Sequence, residues 1–395
     1  IYTIGAGGGS IGWVDEGGLL HMGPQSAGAN PGPACYSLGG KLPTCTDADL
    51  ILGYLNKDFF FGGKILLDDK KAGEAIKKYI AAPLGIGLIE AAAGMYQLIN
   101  VNMAAAIKEV SVKRGYDPRE FPVVVAGGAG PIHAGMIALE LGIPVIIIPK
   151  ESSVFCAVGM LMSDLKHDLV RTYHSLLPSL DIKKFKTLIN EMENEGYEIL
   201  AEEKVTKERI RYSYSCDMRY VGQFHEVNVE ITKAEIEDEG NITKNLEERF
   251  HQTHESLYGY WLKEEGNPIE ILNLRIVSIG ETKKPQFRTS SYQEKDISRV
   301  IKGKRRVYIH ENKDFEEVKV YDGMEMQPGI QVFGPAIIEQ VNTTVFILPE
   351  YDIICDKYGN YVMYLIFVQR FSLMIYYFDY KLFDNLVENY KFDPK

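Results

Sequence analysis

Residues 123–149, VVVAGGAGPIHAGMIALELGIPVIIIP, spell strand, glycine turn, helix and strand in immediate succession. The β-branched run at 123–125 is expected to be a strand buried on both faces. Gly127, Gly128 and Gly130 follow it, allowing positive φ and close approach to the backbone. Pro131 suits a first helical turn, and the apolar positions up to Leu141 carry the helix to Gly142, a C-cap residue. Residues 145–148 form the next strand. Such a turn is either an anion site, with free N–H groups and the helix dipole facing outward, or a tight connection with no ligand. A dinucleotide fingerprint fits less well: His133 stands where the third glycine belongs, and no acidic residue ends the second strand.

Outward from this stretch, 395 residues allow two or three domains, and a 46% hydrophobic content suffices for real cores. The net charge of −11, without a basic stripe, argues against nucleic acid. The cysteines (Cys35, Cys45, Cys156, Cys216 and Cys355) are odd in number and free of CxxC spacing. They point to a reducing, cytoplasmic setting and to neither a disulfide framework nor a zinc site. No basic and apolar leader opens the sequence, so secretion is not expected.

Residues 4–11, IGAGGGSI, place Gly7, Gly8 and Gly9 in a loop able to wrap a phosphate or admit a substrate. No Lys-Ser/Thr follows, so it is not a Walker A loop. A flexible terminal turn is the alternative. Gly17-Gly18 marks a hairpin between 11–14 and 19–22. Residues 23–36, GPQSAGANPGPACY, are expected to be neither helix nor sheet. In 43–52, PTCTDADLIL, Thr46 or Asp47 can N-cap a helix, while Asp47 and Asp49 can also hold a divalent ion or orient a water. Helices are expected from 72 and over 90–114, the latter carrying Asn100 and Asn102 as out-of-place polar residues.

Beyond the central stretch, Cys156 reads as a buried small hydrophobe, and Asp164, His167 and Asp168 as a loose metal spacing or a solvated surface. Lys- and Glu-rich residues 181–208 form an amphipathic helix opening a second domain. Residues 209–229 form a strand pair; His225 and Glu226 between them are an acid and base, or Arg219 pairs with Glu226. His251, His254 and Glu255 lack zinc-protease spacing. Residues 326–349 form a small β unit punctuated by Gly and Pro. Residues 361–378 are almost wholly apolar, too short and interrupted for a membrane span, and read as a packed helix or a patch that needs a partner.

Seven blocks carry a family resemblance: IGAGGGSI (4–11), GPQSAGANPGPACY (23–36), PTCTDADLILG (43–53), KRGYDPREFPVVVAGGAGPIHA (113–134), SDLKHDLVR (163–171), MRYVGQFHE (218–226) and FGPAIIEQVNTT (333–344). The chain resembles the hydantoinase A / 5-oxoprolinase family, which includes the ATP-linked subunits of acetone and acetophenone carboxylases. The resemblance implies an α/β fold: a partial actin-like (sugar kinase/Hsp70-type) ATPase lobe over 1–175, a smaller α+β domain over 176–365 and an atypical aromatic tail over 366–395. It implies ATP with Mg²⁺, a B-type partner subunit, oligomeric assembly and a cyclic amide or ketone as substrate. By resemblance Gly127, Gly128 and Gly130 form the nucleotide turn, and Gly7, Gly8 and Gly9 lie near phosphates or substrate. Asp47 and His133 are the catalytic candidates, and Asp47 and Asp49 the metal candidates. The family's Asp-Gly-Gly-Thr phosphate loops do not occur in the 395 residues, which implies a separate N-terminal ATPase portion and little ATP turnover by this chain alone.

Overall fold

The structure is a computed structural model that describes residues 2–263, 266–291 and 297–366. Two compact units emerge: Ile1–Val158 with Phe287–Lys395, and Gly159–Gln286 between them in sequence.

The first unit opens on the hairpin β1 (Ser10–Val14) and β2 (Leu20–Ser26). β2 takes in residues 23–26, so the Gly/Pro stretch is partly strand; the pairing begins at Ser10↔Ser26, which its loop-like composition hides. Then come α1 (Cys45–Ile51), α2 (Asp69–Ile76), the short α3 (Ala82–Leu84) and α4 (Leu88–Val110). Ala91, Met95 and Ile99 recur every four residues on α4 and are fully buried, the 3.6-residue stripe of a core helix. β3 (Val123–Val124), α5 (Gly130–Leu141) and β4 (Val145–Ile148) realise the central stretch, with Gly142 closing α5 at φ 67°. β3 is a correction to the expected doubly buried strand. It is two residues long, lies at a sheet edge and leaves Val124 exposed. α6 (Phe155–Met162) follows, and Cys156 on it is exposed, not buried.

The second unit contains β5 (Leu165–Leu176), α7 (Ile182–Glu202), β6 (Ile210–Tyr220), β7 (Val227–Ile231), α8 (Lys233–Glu237), α9 (Ile242–Tyr258) and β8 (Ile269–Gly280). Its sheet runs β5-β8-β6-β7, antiparallel throughout. Phe185, Ile189, Met192, Gly196 and Leu200 form the buried face of α7. Gly196 is required there, because a Cβ would lie 1.8 Å from Ser278 Oγ on β8.

The chain then supplies β9 (Ile301–Ile309), β10 (Asp314–Asp322), β11 (Gln331–Phe333), β12 (Ala336–Glu339), β13 (Thr344–Ile347), β14 (Tyr351–Cys355) and β15 (Tyr361–Leu365) to the first unit. β15 pairs antiparallel with β4, Tyr361 opposite Ile148, and completes the five-stranded sheet β11-β14-β15-β4-β3. A second sheet runs β13-β12-β10-β9. Ile146, Ile148, Ile353 and Met363 are buried in this core, each contributing about 1.5–3 kcal/mol by leaving water.

The compact units therefore divide differently from the expected 1–175 and 176–365 split. β4 needs an antiparallel neighbour, and residues over 200 positions later provide it. The expected β unit at 326–349 is likewise shared between both sheets. Residues 361–365 are strand, not the start of a helix; 367–395 lie outside the described residues. Among the described residues no single helix is long and apolar enough to cross a membrane.

Candidate active site

α1 starts where Thr44 is still extended (φ −121°, ψ 172°), and a capping box forms: Asp47 N–H donates to Thr44 Oγ1, and Thr44 N–H donates to the Asp47 carboxylate. Thr44, not Thr46 or Asp47, is the N-cap. Asp47 also accepts from Thr44 Oγ1 (2.8 Å), Ala34 N (3.2 Å) and Cys35 N (2.8 Å), and is wholly buried. Its carboxylate pins the end of the Gly/Pro loop to the start of α1. Both oxygens accept hydrogen bonds, three on Oδ2 and one on Oδ1, so the residue expected as a metal or catalytic position is engaged by the protein itself.

One turn further, Cys45 and Asp49 share a helix face. Cys45 Sγ lies 3.8 Å from Asp49 Oδ2 and 3.4 Å from His133 Nε2, and His133 Nε2 is 3.6 Å from Asp49 Oδ2. His133 sits on the first turn of α5, stacked on Tyr96 at 5.1 Å. Asn100 Nδ2 donates to Tyr96 O, so Asn100 Oδ1 faces His133 Nδ1 at 3.0 Å. This network assigns the proton to Nδ1 and leaves Nε2 with its lone pair toward the thiol and carboxylate. Asp49 Oδ1 is buried without any hydrogen-bond partner. Burial, with Asp49 and Asp47 close by, pushes the Cys45 thiol well above its ordinary value, so it is not a ready thiolate nucleophile.

Asp49 also lines a cavity of about 420 Å³, together with Gly8, Gly9, Thr46, Gly128 and Thr343. Thr46 Oγ1 donates to Gly8 O and Thr343 Oγ1 to Gly128 O, which fixes the two glycine turns from opposite sides. Among the described residues, the amides of Gly8, Gly9 and Gly128 have no protein acceptor. Gly127 (φ 99°) supplies the left-handed corner, and a Cβ on Gly128 would press Asn342 O at 3.1 Å. Phe59, Phe60 and Tyr36 add an aromatic wall, and among the described residues no Lys or Arg lines the cavity.

The structure thus joins Gly8, Gly9, Gly128 and Asp49 at one cavity. Gly7, Gly127, Gly130, Asp47 and His133 do not line it. Gly7 N–H donates to Ser10 Oγ, and Gly130 begins α5. The sequence alone did not single out Cys45, which meets His133 and Asp49, or Thr343, which clamps Gly128. The four-residue spacing from Cys45 to Asp49 was the available signal for the first; nothing local announces the second.

Several of the remaining candidates are engaged in local pairings. Asp164 meets Thr282 and Lys284, while His167 meets Glu203. Arg219 pairs with Glu270, not Glu226. His251 bonds the Tyr220 hydroxyl and His254 the Tyr260 carbonyl.

The sequence profile described as Hydantoinase/oxoprolinase matches residues 1–169, and that of the Hydantoinase/oxoprolinase C-terminal domain matches 180–362. The chain belongs to the hydantoinase/oxoprolinase family. It is 36% identical to the caprolactamase subunit alpha of Pseudomonas jessenii, over 91% of this chain and 52% of that protein. It is 34% identical to the acetophenone carboxylase gamma subunit of Aromatoleum aromaticum, over 90% and 50%. The crystal structure of the ATP-dependent caprolactamase from P. jessenii superposes with a TM-score of 0.73, covering 92% of this chain and 53% of that one. A nucleotide-free acetone carboxylase structure superposes with a TM-score of 0.76 at 25% identity, over 91% and 52%. The chain spans about half the length of these relatives.

Proposed function

We propose that this chain is the C-terminal part of the ATP-using subunit of a cyclic-amide hydrolase of hydantoinase or 5-oxoprolinase type. The observation that carries the reading is the cavity where unclaimed amides from two glycine turns meet at the N-terminus of α5. Such donors suit an anionic oxygen, and the helix dipole adds to them. The first unit is read as part of an actin-like lobe, with the remainder of the nucleotide site on an N-terminal portion and hydrolysis completed by a B-type subunit in a cytoplasmic assembly.

ATP, when bound, supplies a phosphoryl group that makes an amide oxygen activatable. Gly8, Gly9 and Gly128 would hold phosphate or carbonyl oxygens through backbone N–H groups. The aromatic wall would exclude water and hold a compact neutral ring. With no Lys or Arg in the lining, cationic charge for the phosphates falls to other parts of the assembly. Mg²⁺ at Asp47 and Asp49 fits poorly: both Asp47 oxygens are hydrogen-bonded and Asp47 does not line the cavity, while Asp49 stands beside a thiol and an imidazole. The 34% identity to a carboxylase subunit keeps a second reading in which the activated oxygen belongs to a ketone enolate.

The test is ATP-dependent ring opening by the full-length protein reconstituted with a B-type subunit. Gly128→Val keeps the amide but presses a branched side chain against Asn342 O, another cavity-lining residue, so the turn shifts and turnover should fall on the order of a hundredfold, with some loss of melting temperature. Turnover of a lactam with the variant at parental rate would overturn the cavity assignment. Bicarbonate-dependent consumption of a ketone with no ring opening would select the carboxylase reading.

A further inference from the structure

We propose that Cys45, Asp49 and His133 form a binding site for one thiophilic divalent cation of the zinc class, buried beside the cavity. The three ligand atoms are separated by 3.4, 3.6 and 3.8 Å, and all three residues are essentially inaccessible to solvent. A triangle of those edges has its centre about 2.1 Å from each corner, within the range of zinc bonds to nitrogen, oxygen and sulfur, about 2.0–2.3 Å. The donor set of one thiol, one imidazole and one carboxylate favours a borderline-soft ion over magnesium or calcium.

Two further observations point the same way. Asn100 holds His133 Nδ1–H and directs the Nε2 lone pair at the other two ligands, the outer arrangement that metal-bound histidines show. Asp49 Oδ1 is buried and unpartnered although Asp49 lines the cavity. Within the trio the thiol is the one donor for two facing acceptors, and among the described residues no Lys or Arg side chain is paired with Asp49. A bound cation balances this: the thiol loses its proton to solvent, the Zn–S bond forms, and the carboxylate gains a counter-charge. Three protein ligands leave a fourth position for a water or an oxygen entering from the cavity. The sequence reading, which set aside zinc for want of CxxC spacing, could not see a set assembled from two helices.

The site is independent of the substrate and is tested without nucleotide or partner. The full chain is stripped with a chelator, checked for fold by circular dichroism and titrated with cobalt(II). One equivalent should bind with thiolate-to-cobalt charge-transfer absorption and be displaced by zinc but not by excess magnesium. Cys45→Ser should abolish that absorption, and Asp49→Asn should weaken binding by more than about tenfold. A folded parent chain that takes up no cobalt would overturn the site. Displacement by magnesium, or unchanged affinity in Asp49→Asn, would overturn it as well.

Discussion

Buried carboxylates of the two units, Asp217 in the second and Asp49 in the first, are treated in opposite ways. In the second unit, Asp217 accepts from Asn228, Asn273 and Arg275. Glu270 beside it meets Arg219 and His174, and the Arg219 bond holds its carboxyl below the ordinary value. In the first unit, Asp49 is as deeply buried but keeps one oxygen unpaired, with a thiol and an imidazole for company. This is not a general property of the first unit, since Glu339 there is paired with Lys302 and Arg305. Closed polar networks stabilise a fold; an open one at a cavity wall costs stability and is retained for what it binds. The difference sets Asp49 apart as a buried carboxylate with an unpaired oxygen at a cavity wall.

The comparison breaks most readily at Asp47, which belongs to the active region by sequence but behaves like the second unit. Asp47→Ala removes four accepted hydrogen bonds from buried donors, and an expected loss of about 3–5 kcal/mol should appear as a large fall in denaturation midpoint. A loss under about 1 kcal/mol would return Asp47 to the list of groups held for function.

Asp217→Asn probes the closed network directly. The new amide keeps one oxygen, so its NH2 faces either Asn228 or Asn273, and Arg275 in both cases; a loss of about 2–3 kcal/mol is expected by thermal unfolding. Arg275 is partly exposed and can turn to water, which keeps the figure below that for Asp47.

Asp49→Asn sharpens the contrast through its sign. In the chelator-treated chain it removes an uncompensated buried charge, and a gain of about 1 kcal/mol is expected. Adding zinc should stabilise the parent chain and not the variant, because ligand that binds only the folded state raises its melting temperature. A fall in stability equal to that of Asp217→Asn would erase the distinction between the two units.

Local pattern made much of this molecule legible from its residues. The turn, helix and C-cap of residues 127–142, the α4 and α7 stripes and the β6–β7 pair follow from spacing and capping chemistry within a few turns of chain. Of the glycines in the two turns, Gly8, Gly9 and Gly128 line one cavity, while Gly7, Gly127 and Gly130 do not. Only the tertiary structure decided the rest. Which strand closes the sheet beside β4, which residue claims the Asp47 oxygens and which histidine faces Cys45 are matters of register between segments far apart in sequence. A side chain's type states what it can bond; whether its bonds are already spent is known only once distant backbone has been packed around it.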